Sequence, residues 1–172
     1  QLPGTDGEAE GEELSTGDDP HVWLAPGNMR QMSATVLATL KALAPDDAEA
    51  FTGNQGDYGA ELDLLDTAFA DGLRDCTSRV LVSAHRAFGY LADAYDLTAV
   101  AIAGVSPSEE PSAKTLEAIA AFAGDNGVTT IFFEENLPED LAATLASDIR
   151  ATTGVLDTLE SPSKEQLDAG DG

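Results

Sequence analysis

The chain has 172 residues, 32 of them acidic against 8 basic, giving a formal net charge of -24, and 42% of its residues are hydrophobic though only 6% are aromatic. Burial of a core is not limited at this size, and a surface this acidic is repelled by nucleic-acid phosphates and anionic membranes, which argues against a nucleic-acid role. No stretch approaches the roughly 20 consecutive apolar residues that span a bilayer.

Such acidity reads first as adaptation to solubility or salt. It also attracts cations, but without selectivity, since screening confines the field to about 8 Å at physiological ionic strength. The sequence starts at Gln1 in polar residues, with neither an initiator Met nor a signal peptide, and reads as an internal piece of a longer protein. Cys76 alone leaves two readings open, a small buried hydrophobe or a half-cystine whose partner lies elsewhere.

Residues 1–18, rich in Gly, Asp and Glu, cannot bury enough apolar area to offset their ordering entropy and are expected to form an acidic flexible loop. Asp19-Pro20-His21-Val22-Trp23-Leu24-Ala25 follows. After Pro26, the residues Met29, Met32, Val36, Leu37, Leu40 and Leu43 recur at helical spacing until Pro45 stops them. A longer helix is expected over 46–74, with Asp46 and Asp47 at its positive end and Phe51, Tyr58, Leu62, Leu65, Phe69 and Leu73 as its apolar positions. Gly53, Gly56 and Gly59 each cost it about 1 kcal/mol relative to Ala.

Beyond Cys76, short apolar runs alternate with amphipathic stretches. Strands are expected at 79–83, 99–102, 129–133 and 154–156, with helices at 87–94, 112–124 and 138–150, the second of these capped by Ser112. That alternation predicts βαβ units and a parallel sheet, in which ligands gather at the C-terminal ends of the strands. His85, Glu134, Glu135 and Asp157 all fall just past strand ends, hence on one rim.

The chain contains two histidines, His21 and His85. They read either as buried structural residues or, with Asp157, as a metal site whose imidazole and carboxylate donors suit zinc first and manganese second. Glu134 and Glu135 point opposite ways on an extended segment, so one faces the cleft and the other solvent. No HExxH, paired CxxC, GxSxG or phosphate-binding glycine loop is present, and nothing in the spacing builds a Ser-His-Asp triad. Catalysis finds little support.

The ordered segments DPHVWL, LVSAHRAFGYLADAYDL, IAGVSPSEEPS, IFFEENLPEDLAATLASDI and VLDTLES, spread over residues 19–169, strongly resemble the zinc-uptake solute-binding proteins of the cluster A-I type. The resemblance implies an α/β fold of two (βα)-type lobes joined by a long rigid helix, with the metal in the cleft between them. On that pattern 19–45 end the N-terminal lobe, 46–74 form the connecting helix and 75–172 form most of the C-terminal lobe. His21 of DPHVW and His85 of LVSAHRAFGY match family ligand positions, the latter being His in zinc members and Glu in many manganese members. Asp157 matches an additional carboxylate ligand, and Glu134 or Glu135 would accept a ligand N–H or hold water.

The family's ligand set also includes an earlier N-terminal-lobe histidine with no counterpart in these residues, and its usual C-terminal helix often bears a cysteine that would pair at the position of Cys76. The implied protein is a non-enzymatic, monomeric carrier outside the cytoplasm, in the periplasm or lipid-anchored, that loads Zn2+ and docks on an ABC transporter permease. Proton competition should weaken loading below about pH 6.5, where free imidazole protonates. Rival expectations are a Mn2+-binding member, a metal-dependent adhesin and, in a different class, a metal-dependent hydrolase with Glu134 or Glu135 as base.

Overall fold

The computed structural model describes residues 19–105, 111–134 and 140–160. It divides into two compact units, one of residues up to His21 together with those from Ser78 onward, the other Val22–Thr77.

The second unit is a helix pair. After a short 3-10 turn at Val22–Leu24, α1 spans Pro26–Leu43, with the proline in its first turn, where a missing N–H costs nothing. Another 3-10 turn at Pro45–Asp47 leads into α2, Ala48–Leu73, which runs unbroken through Gly53, Gly56 and Gly59. Asp47 precedes α2 without a side-chain capping bond. The less exposed positions of α1 include Met29, Ser33 and Leu37, and those of α2 Phe51, Gln55, Gly59, Leu62, Phe69 and Leu73. Gln55 Nε2 donates to Ser33 Oγ (3.4 Å), and Arg30 Nη1 donates to Gly59 O (3.2 Å) and pairs with Asp63. One neighbouring helix covers only one stripe of i, i+3/i+4 residues. Met32, Val36, Leu40 and Leu43, part of the apolar series at helical spacing, are therefore exposed here, as are Tyr58 and Leu65.

The first unit is a four-stranded parallel sheet in the order β2-β1-β3-β4, from β1 (Val80–Ser83), β2 (Thr98–Ala101), β3 (Thr130–Phe133) and β4 (Thr152–Val155). Helices α3 (Gly89–Ala94), α4 (Ala113–Asp125) and α5 (Asp140–Ile149) connect them. Leu81, Val82 and Ser83 are buried in succession, so β1 is covered on both faces, as a central strand of a parallel sheet requires. Val82, Val100 and Ile131 meet Ile119 and Ala123 of α4 and Ala142, Leu145 and Ala146 of α5 in one core. Helix α4 starts and stops where local chemistry dictates. Ser112 Oγ accepts from Thr115 N (3.2 Å) ahead of α4, and beyond its end Gly127 takes φ 65°, a left-handed conformation that suits glycine.

Chain order and spatial order reverse between β1 and β3, because β2 lies on one side of β1 while the chain then crosses to the other. Open parallel sheets bind their ligands outside such a reversal. Among the described residues no helix is long and apolar enough to cross a membrane.

Candidate metal centre

Register carries the first half of the site. Val82 pairs with Ile131 and Ser83 with Phe132, and continuing the same offset two residues past that last pair sets His85 beside Glu134. Their side chains meet there: His85 Nδ1 lies 2.8 Å from Glu134 Oε1, with the histidine fully buried and the glutamate 5% exposed. A Glu134 carboxylate accepts, so Nδ1 is the donor and His85 Nε2 is left with its lone pair.

His21 arrives from the other end of the chain and repeats the arrangement. Its Nδ1 donates to Asp19 Oδ1 at 2.7 Å, and the same oxygen accepts from the His21 backbone N–H at 3.0 Å. His21 Nε2 faces His85 Nε2 at 3.3 Å, with ring centroids 5.1 Å apart and planes inclined at 65°. Glu160 supplies the third atom, Oε1, 3.0 Å from His21 Nε2. One donor atom each from His21, His85 and Glu160 lies within 4.8 Å of the others.

Two imidazole lone pairs and a carboxylate oxygen thus converge, each histidine proton already committed on the far side of its ring. Convergent acceptors repel unless a cation lies among them. Atoms bound tetrahedrally at about 2.0–2.1 Å from a zinc ion are separated by about 3.3 Å, close to the Nε2 to Nε2 distance observed. The donor set is two nitrogens and an oxygen, a combination suited to zinc.

Asp157 stands apart from this group. Its Oδ1 accepts from Leu159 N at 2.7 Å, closing a turn through its own backbone, and Leu159 takes φ 59°. That turn sends Glu160 toward the histidines, while buried Thr158 donates from Oγ1 to Glu160 Oε2 (3.4 Å). Among the described residues Glu160, rather than Asp157, is the carboxylate gathered with the two histidines, while Asp157 Oδ1 is engaged by its own turn. Glu135 lies outside the described residues. Asp19 and Thr158 were not singled out from sequence. Asp19 had a signal, a carboxylate two residues ahead of His21, whereas Thr158 had none.

Residues 2–170 match the family model described as ZnuA, zinc-uptake complex component A periplasmic. The high-affinity zinc uptake system protein ZnuA of Bacillus subtilis is 40% identical over 154 residues, covering 90% of this chain and 48% of that protein. Zinc-binding lipoprotein AdcA of Streptococcus pneumoniae is 40% identical over 153 residues, 89% of this chain and 30% of that protein. The chain thus spans half or less of the length of these curated relatives. Among solved structures, the laminin-binding protein Lmb of Streptococcus agalactiae, described as bifunctional with adhesin and metal transporting activity, superposes with a TM-score of 0.79 at 29% identity, over 88% of this chain and 60% of that one. The chain belongs to the ZnuA family, that of the periplasmic component A of zinc-uptake complexes.

Proposed function

We propose that this chain carries the Zn2+-capturing residues of an extracytoplasmic solute-binding protein that hands its ion to an ABC importer, with His21, His85 and Glu160 as ligands and no turnover. The observation that supports this most is the convergence of His21 Nε2, His85 Nε2 and Glu160 Oε1 while both Nδ1 atoms donate to carboxylates. Held in this way, each imidazole is in the tautomer that binds a metal through Nε2. Relatives named for zinc uptake agree in chemistry, and those named lipoproteins agree with a location outside the cytoplasm. The protein acts as a monomer whose helix α2 joins the metal-bearing unit to a second lobe.

A hydrolase reading would need a base at the metal. Glu134 Oε1 accepts from His85 Nδ1, on the far side of the ring from Nε2, which favours support of a ligand over the role of a base at the metal.

The test is His85→Ala in the full-length protein, with zinc affinity measured by competition against a fluorescent chelator. Affinity should fall by well over tenfold while the far-UV circular dichroism is retained. Zinc affinity equal to the wild type would end the proposal.

A further inference from the structure

Asp19 uses only one carboxylate oxygen on His21, and the other is aimed at α3. A Cβ built on Gly89, the first residue of that helix, would lie 2.8 Å from Asp19 Oδ2, nearer than real Cβ atoms approach any heavy atom. Among the described residues, Gly89, its two chain neighbours and the nearby backbone of α3 aside, Oδ2 is the one atom within 4 Å of that position. Gly89 does not take a positive φ, which among the described glycines belongs to Gly127, so its backbone conformation is open to any residue. What this position needs from glycine is room for a carboxylate.

Asp19 is itself tightly placed. Its side chain is 19% exposed, and its Oδ1 accepts twice from His21, so turning the carboxylate away from an added methyl at Gly89 lengthens and bends both bonds together. Once Nδ1 loses its acceptor, the imidazole is free to exchange tautomers, and the form with a proton on Nε2 presents a donor where a lone pair is needed.

We infer that Gly89 is a positioning residue of the metal centre: by lacking a side chain it lets Asp19 hold the His21 imidazole with Nε2 as the acceptor. This rests on the metal-site reading above and adds to it a link between α3 and a ligand 68 positions away in sequence.

The experiment is a double-mutant cycle of D19A and G89A in the full-length protein, with D19N as the conservative control. Three quantities are read: zinc Kd by chelator competition, the His21 tautomer by 15N-imidazole NMR of the metal-free protein, and the thermal midpoint. Losing a carboxylate that orients a metal-bound histidine typically weakens affinity about 10- to 100-fold. D19A and G89A should each fall in that range, and D19N, whose amide oxygen still accepts from Nδ1, should lose less. In the double variant the added methyl has no carboxylate to displace, so its Kd should lie within about threefold of D19A. The His21 signals should move toward mixed tautomers in D19A and G89A, with those of His85 unchanged.

A G89A protein with wild-type Kd and wild-type His21 tautomer overturns the inference, as does a double variant whose loss is the product of the two single losses. If G89A fails to fold, recovery of folding in the double variant supports the clash with Asp19, and failure to recover overturns it. The tautomer is read without metal, so it separates this inference from the zinc-site reading, which H85A tests independently.

Discussion

Glu134 offers the sharpest quantitative check on the site. Replacing it with alanine removes an acceptor 2.8 Å from His85 Nδ1, where the imidazole is fully buried and the glutamate 5% exposed. A hydrogen bond to a charged group in such a place contributes about 1.5–3 kcal/mol. At about 1.4 kcal/mol per factor of ten, that is roughly 10- to 100-fold in an equilibrium constant. Because the bond is present without metal, its loss divides between folding stability and zinc affinity. E134A should therefore weaken zinc binding by about tenfold or more and lower the unfolding free energy by a smaller amount. E134Q, which keeps an oxygen acceptor of the same shape, should lose less on both counts. Zinc Kd from chelator competition and unfolding free energy from urea titration measure the two shares, and the d–d spectrum of bound Co2+ reports ligand geometry. An E134A variant with zinc affinity within twofold of wild type and an unaltered Co2+ spectrum would refute the claim that this carboxylate sets the His85 tautomer.

The carboxylate at the metal is decided by comparing E160Q with D157A. E160Q should weaken zinc binding by more than tenfold, whereas D157A should act more mildly, through a loosened turn at Leu159; the reverse order by calorimetric titration would return Asp157 to the ligand set. Ile131→Ala, in the middle of the sheet core at 0% exposed, should destabilise the metal-bearing unit by about 2–5 kcal/mol in urea unfolding, with zinc affinity of the folded protein retained. Ser112→Ala removes the side-chain acceptor ahead of α4 and should cost about 1 kcal/mol in the same assay, and no measurable change would mean that Thr115 N finds water instead.

The helices and strands were legible because their signals are local. Pro26 and Pro45 bracket α1, Ser112 announces α4, and the apolar runs at 79–83 and 129–133 contain β1 and β3 nearly to the residue. The inward face of α1 was less legible, since an apolar stripe spanning Met29 to Leu43 does not say how much of it a single neighbour covers. In the described unit Leu43 remains 78% exposed.

The metal centre divides along the same line. Sequence by itself determined that two histidines sit at element boundaries in an α/β chain, and the ordered motifs named both as family ligand positions. The same motifs named Asp157 in the VLDTLES segment as the carboxylate ligand and gave no sign of Glu160. Only the tertiary structure brings Glu160 beside the histidines, because that depends on the direction of one turn, in which Leu159 N donates to Asp157 Oδ1 and Leu159 takes a left-handed φ. The pairing of His85 with Glu134 depends likewise on the register between β1 and β3, strands 50 residues apart whose offset is set by packing rather than by either segment's own composition.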